Sequence, residues 1–246
     1  MQVDVVLLPS ELRPEHLSGR SVVVFDVLRA TTTITAALAA GVKEIRIFGD
    51  LEPARIAARG SGLRHLLLGE RHAVKPPGFD LGNSPGAFQL DVHGDLTLFM
   101  TTTNGTKAIL AAMGAKQIFT GALVNADALA SALVQSGADA TLLCSGTEGY
   151  VCTEDLLGAG AAIHALEPRT KVTLDSDVAW IARNLFSAQR HDLQATLEES
   201  RGGHNIKRAG LDPDIAFCAQ LDTYEAVGIV EQSDPPIVRA WRAEGT

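Results

Sequence analysis

Residues 22–35 read VVVFDVLRATTTIT: one carboxylate at Asp26, one guanidinium at Arg29 and three consecutive threonines, all directly after an apolar run. A carboxylate suits a hard divalent cation, and a guanidinium suits the oxygens of a phosphate or sulfonate. Three further segments carry comparable chemistry. LGERHAVKPPGFDLGNSP (68–85) offers Glu70, Arg71, Asp80, Asn83 and Ser84. TTTNGT (101–106) offers Thr103, Asn104, Gly105 and Thr106. CSGTEG (144–149) offers Ser145, Gly146 and Thr147, with Glu154 and Asp155 soon after. Turns of this composition ahead of a helix can present backbone N–H groups to an anion. Each segment also has a purely structural reading. Asp26 can cap a helix, Asn-Gly is a strong turn signal, acidic residues at 154–155 oppose a helix dipole, and Glu70-Arg71 can be a solvated loop pair.

The elements that must position these groups repeat one rhythm of apolar strand, polar or glycine-rich turn and alanine-rich helix. Strands are expected at 2–8, 21–25, 44–48, 66–68, 97–100, 117–120 and 141–144, and helices at about 31–40, 53–59, 107–113, 127–135, 156–166 and 175–186. Asp175 or Ser176 is placed to cap the last of these helices. This alternation predicts an α/β fold, layered α/β/α around a mostly parallel sheet, with the ligand site at the carboxyl ends of the strands. In such a sheet the four chemical segments share one edge and converge on one pocket. The Gly- and Pro-rich stretch 75–88 is too long to be a mere connection. Asp-Pro-Pro at 234–236 predicts that a short last strand at Ile237-Val238 is peripheral. No composition break sets a boundary, so residues 1–246 are read as one unit, with two intimately packed α/β halves as the alternative.

Composition narrows the function. A net charge of −8 gives no basic footprint for nucleic acid, so an anion must be met by a local cluster, a metal or backbone N–H groups. No segment approaches a transmembrane span or a signal peptide, and no membrane partner is expected. Three cysteines at irregular spacing make neither a disulfide framework nor a zinc knuckle, which points to a reducing cytoplasm. The histidines at 65, 72, 93, 164, 191 and 204 lack metal-ligand spacing. No G-x-x-x-x-G-K-[ST] loop is present for a nucleotide-using phosphotransferase. Nor is there a D-x-D-x-[TV] series, because Asp26 is followed by Val27 and Leu28.

Taken together, DVLRATTT (26–33), LLGER (67–71), GFDLGNSP (78–85), TTNGT (102–106), SGT (145–147) and the Glu154-Asp155 pair resemble the 2-phosphosulfolactate phosphatases, the ComB family of coenzyme M biosynthesis. The order and spacing match from the first strand to about Asp222, and GFDLGNSP is the most specific piece. The resemblance implies an α/β fold and Mg²⁺-dependent hydrolysis of 2-phospho-3-sulfolactate to 3-sulfolactate and phosphate. It implies Asp26, Arg29 and Arg71 as catalytic residues, and Asp26, Glu70, Glu154 and Asp155 as Mg²⁺ ligands. Thr31, Thr32, Asn83, Ser84, Thr103, Asn104, Gly105, Thr106, Ser145, Gly146 and Thr147 would bind the small anionic phosphoester. Whether Asp26 holds the metal or attacks phosphorus stays open, with attack by water favoured. The alternatives are a phosphatase for another small phosphorylated hydroxy acid and a non-catalytic binding protein for such an anion. A homodimer is compatible with either.

Overall fold

The structure, a computed structural model, describes residues 1–243. Among them, ten strands form one sheet: β1 (Gln2–Val6), β2 (Ser21–Phe25), β3 (Glu44–Ile47), β4 (His65–Gly69), β5 (Thr97–Thr101), β6 (Gln117–Gly121), β7 (Ala140–Cys144), β8 (Thr173–Leu174), β9 (Gly228–Glu231) and β10 (Ile237–Ala240). The α-helices are α1 (Pro14–Leu17), α2 (Ala30–Ala39), α3 (Leu51–Gly60), α4 (Leu90–His93), α5 (Gly105–Ala111) and α6 (Ala126–Ser136), followed by α7 (Thr153–Leu166), α8 (Asp177–Gln189), α9 (Leu193–Glu199), α10 (Arg201–Arg208) and α11 (Asp212–Cys218). Ser176 caps α8, its side chain accepting the Ala179 N–H. No helix among the described residues is long and apolar enough to cross a membrane.

The strand order is β4-β5-β3-β10-β9-β6-β2-β7-β1-β8. The sheet is mostly parallel, as the α/β alternation predicts. β4, β5 and β3 run parallel, as do β6, β2, β7, β1 and β8. Every residue of β2, β5 and β7 is buried, which explains their unbroken apolar or threonine-rich sequences. On one face, α2 and α5 pack against Val22 and Val24 of β2, Ile45 and Ile47 of β3, and Leu98 and Met100 of β5. On the other, α6 and α7 cover Val23, Phe25, Phe119 and Leu142.

Two expectations are corrected. β10 is central and not peripheral: Val238 pairs with Ile45 of β3 on one side and Val230 of β9 on the other. Pro235 and Pro236 precede the strand, so they remove no ladder donor, and the Pro236 carbonyl accepts the Ile47 N–H at 2.9 Å. The second correction concerns the shared edge. The three successive antiparallel pairings β3–β10, β10–β9 and β9–β6 make the two parallel blocks run in opposite senses. Their carboxyl ends meet nonetheless. At about 20–25° of twist per strand, the five steps from β5 to β2 turn the chain direction by roughly 110°, which undoes most of the reversal. The apolar cluster that includes both Val24 and Met100 is the packed interior of that turn.

Candidate active site

A cavity of about 380 Å³ lies where the two sets of carboxyl ends meet. Asp26, Leu28 and Arg29 reach it from the end of β2, and Glu70, His72, Ala73 and Val74 from the end of β4. Asn83 comes from the long loop, Thr103 and Asn104 from the end of β5, and Thr147 and Glu148 from the end of β7. The remaining wall is Gly202, Asn205, Ile206, Arg208 and Ala209, from α10 and its carboxyl end. All four segments expected to carry chemistry therefore contribute.

Asp26 lies at the junction of the two blocks. Its Oδ1 accepts the Ala30 N–H at 3.0 Å, and the Gly105 N–H also bonds its carboxylate. A Cβ on Gly105 would stand 2.6 Å from Asp26 Oδ2, so this approach of α5 to β2 requires glycine. Burial pushes the Asp26 carboxyl up to about 6; the Ala30 N–H opposes that shift, and the charges of Glu70 and Glu154 add to it. Glu70 accepts the Thr103 N–H through Oε1 at 2.6 Å and the Ala73 N–H through Oε2 at 2.9 Å. Glu154, 1% exposed, is raised above the usual carboxylate range by burial. A Cβ on Gly202 would overlap its Oε1, so α10 closes over Glu154 only because that helix carries glycine there.

Arg29 is the buried cation of the site. Its Nη1 donates to Asp214 Oδ2 at 2.6 Å and to Ser84 Oγ at 3.3 Å, and its Nη2 donates to the Ala73 carbonyl at 2.9 Å. Ser84 donates its own hydroxyl to the same Asp214 oxygen at 2.7 Å. Among the described residues, five buried side-chain N or O atoms have no hydrogen-bond partner. Four of them, Arg29 Nε, Asn83 Oδ1, Thr103 Oγ1 and Glu154 Oε2, belong to this region. An unpaired buried polar atom costs about 1–3 kcal/mol, so this concentration calls for ordered water or a bound polar group.

Several expected ligand-binding groups are turned away. Thr31 donates its hydroxyl to the Asp26 carbonyl, and Thr32 donates to the Val27 carbonyl, so both tie the turn to α2. Thr106 does the same for Thr102. Asp155 accepts the Val27 N–H, the Ser145 hydroxyl and the Gly146 N–H at 2.9–3.0 Å, which clips β2 to β7 beneath the cavity. Ser145 and Gly146 are thereby occupied, and Thr147 and Glu148 of that turn reach the cavity wall. Burial, then the charges of Glu154 and Asp26, hold the Asp155 carboxyl well above its ordinary range. Arg71 points to the Glu70 and Gly49 carbonyls and to Thr101 Oγ1, bracing the strand ends away from the cavity.

Sequence reasoning missed Asp214 and the α10 wall. The pair Gly202-Gly203 inside a helix was the available signal, since glycine is unfavourable there unless a close approach demands it. Asp214 gave none, because an acid in a first helical turn is already explained by the helix dipole. Among the described residues no group of three or more His, Cys, Asp and Glu is gathered so as to hold a metal ion alone. Asp26 with Glu154 is the carboxylate pair that could hold a divalent cation such as Mg²⁺ together with water or phosphate oxygens. The two carboxylates are buried close enough to repel, one oxygen of Glu154 is unpartnered, and Mg²⁺ commonly uses one or two carboxylates with water and phosphate oxygens.

The family model described as 2-phosphosulpholactate phosphatase matches residues 6–233. Similar proteins carry the name "Probable 2-phosphosulfolactate phosphatase", three of them as follows. The protein from Clostridium novyi is 34% identical over 92% of this chain and 96% of its own length. That from Symbiobacterium thermophilum is 40% identical over 85% and 90%, and that from Parasynechococcus marenigrum 38% identical over 98% and 100%. The match runs from the last residue of β1 through β9 and takes in α10 and α11. The chain belongs to the 2-phosphosulpholactate phosphatase family, a family of phosphoric monoester hydrolases.

Proposed function

We propose that this chain hydrolyses the phosphate ester of 2-phospho-3-sulfolactate to 3-sulfolactate and inorganic phosphate, with Mg²⁺ as cofactor, in a coenzyme M type of biosynthesis. The observation that carries the reading is the cavity itself. Asp26, Arg29, Glu70, Asn83 and Thr103 line one volume of about 380 Å³. The unpaired Arg29 Nε–H and Thr103 hydroxyl are donors suited to an anion, and the unpaired Glu154 oxygen, whose charge acts on Asp26, suits a cation. The names of the relatives supply the substrate.

In this reading Asp26 and Glu154 hold Mg²⁺, with Glu70 beside them. The ion supplies charge neutralisation and a template for the phosphoryl group. Asp214 and Ser84 fix the Arg29 guanidinium at the cavity wall, so that it can meet a phosphoryl oxygen with little reorganisation. The Thr103 hydroxyl donates to the same anion. Glu70 orients that residue by accepting its backbone N–H. Asp26 already accepts N–H groups from Ala30 and Gly105, a geometry that suits a fixed carboxylate better than an attacking one. Phosphoryl transfer depends mainly on positioning and charge stabilisation, which this set provides.

The test is inorganic phosphate release from 2-phospho-3-sulfolactate, with Mg²⁺ and after chelation. Asp26→Asn is expected to lower kcat at least about 100-fold, the usual cost of removing a preorganised electrostatic group. Full activity in that variant, or an unchanged rate without divalent cation, would remove the Mg²⁺ site from the mechanism. Tight binding without turnover under any divalent cation would make the protein an anion-binding module instead.

A further inference from the structure

The cavity holds fewer uncommitted cations than its substrate has anionic groups. Arg29 is paired with Asp214 at 2.6 Å. His72 faces Glu148 at 3.5 Å across the rim. On α10, Lys207 is paired with Glu198 at 2.9 Å, and Arg201 lies over the Tyr150 ring at 4.2 Å. Arg208 differs from all of them. It lines the cavity, it is exposed, and its one hydrogen bond, to Asn205 Oδ1 at 3.4 Å, is to a neutral amide. Among the described residues it has no carboxylate partner. Asp26 and Glu70, by contrast, are 6% and 8% exposed and line the interior of the same cavity.

The cavity is thus polarised. Buried carboxylates, Asp26 and Glu70, line its interior, and a lone guanidinium stands exposed at the carboxyl end of α10. The geometry points to Arg208 as the specificity-determining residue that receives a second anionic group of the substrate, its sulfonate. This rests on the phosphosulfolactate reading above. A sulfonate suits that position: it is monovalent, three-oxygened and weakly hydrated, and a planar guanidinium meets two of its oxygens at once. Arg208 serves as a selector. It gives a phosphorylated acid with a terminal anion an advantage over one with a methyl group in the same place, and Asn205 limits the directions the guanidinium can take.

The experiment compares kcat/KM for 2-phospho-3-sulfolactate and for 2-phospholactate, which has a methyl hydrogen where the sulfonate stands. The ratio of the two is expected to fall about 10-fold in Arg208→Ala, mainly through KM for the sulfonated substrate, because charge-assisted contacts at a partly exposed site have that order of magnitude. Arg208→Lys should recover part of the loss. Lys207→Ala removes one charge from the same helix outside the cavity and should leave the ratio unchanged. An unaltered ratio in Arg208→Ala, or an equal fall in Lys207→Ala, overturns the assignment. A parallel measurement uses calorimetric binding of 3-sulfolactate against lactate, which requires no turnover. If the wild type hydrolyses neither ester, the phosphatase reading fails. Loss of the sulfolactate preference in Arg208→Ala then still upholds the Arg208 assignment, and its persistence refutes it.

Discussion

Asp214→Ala removes the partner of a cation whose side chain is only 1% exposed, while that of Asp214 is 10% exposed. At an effective dielectric constant of about 20 and roughly 4 Å between charge centres, the attraction is about 4 kcal/mol. Breaking a buried pair from one side usually costs about 3–5 kcal/mol, because the remaining charge is left uncompensated. Ser84 loses its acceptor in the same step. For a chain of this length each kcal/mol lowers Tm by about 2–4 °C, so a fall of roughly 6–20 °C is expected. Asp214→Asn keeps the shape and one acceptor, and should lose about half as much. The unpaired Arg29 then becomes a stronger anion site. Inorganic phosphate at ten times its Kd would return about 1.4 kcal/mol, a larger gain than the same phosphate gives the wild type. Urea denaturation with and without phosphate measures both quantities. A loss below about 1 kcal/mol in Asp214→Ala, or equal phosphate stabilisation of variant and wild type, would refute the pairing argument.

Two further outcomes follow from the same geometry. Asp155→Asn, although isosteric, turns an amide toward the Val27 and Gly146 N–H groups and should cost about 1–3 kcal/mol in metal-free protein. A metal-free variant as stable as the wild type would refute the clip between β2 and β7. Glu44 joins β3 to β10 through Arg239 at 2.7 Å and is paired within β3 with Arg46 at 2.9 Å. Despite burial, the hydrogen bonds from Arg239 and Arg46 hold its carboxyl below the ordinary range. A depressed folded-state pKa stabilises above the unfolded value and is lost as pH falls through the folded one. Glu44→Gln should therefore cost about 1–2 kcal/mol at pH 7, discounted for the half-exposed Arg239, with the difference shrinking below about pH 4.5. A difference independent of pH in denaturation curves from pH 7 to 3 would exclude the ionic contribution.

Much of this architecture is written locally. β2 carries five buried residues in a row, and the turn it feeds opens a helix at Ala30, so the position of Asp26 is readable from the segment alone. The same holds for Thr103 and Asn104 at the end of β5. What was not legible is non-local. The threonine hydroxyls look like ligand groups in sequence, yet Thr31 and Thr32 satisfy carbonyls of their own turn. Asp155 and Glu154 are adjacent in sequence but differently engaged: Asp155 accepts from Val27, Ser145 and Gly146, whereas Glu154 lies against Gly202 of α10. Asp214 meets Arg29 across 185 residues, and no local pattern encodes that distance. The central place of β10 was missed because proline beside a strand argues for an edge only when it removes a ladder donor.

The hairpin between the blocks also bears on how the molecule comes into being. Asp26 and Thr147 belong to one block and Glu70 and Thr103 to the other, and the strands that hydrogen-bond the two together are encoded after all the rest. As the polypeptide emerges from the ribosome, each block can gather its own parallel strands early, whereas the sheet between them closes only when residues 228–240 arrive. Completion of the cavity is thus expected to await the pairing of β9 and β10, the long-range kind of contact that slows folding in sheets of high contact order.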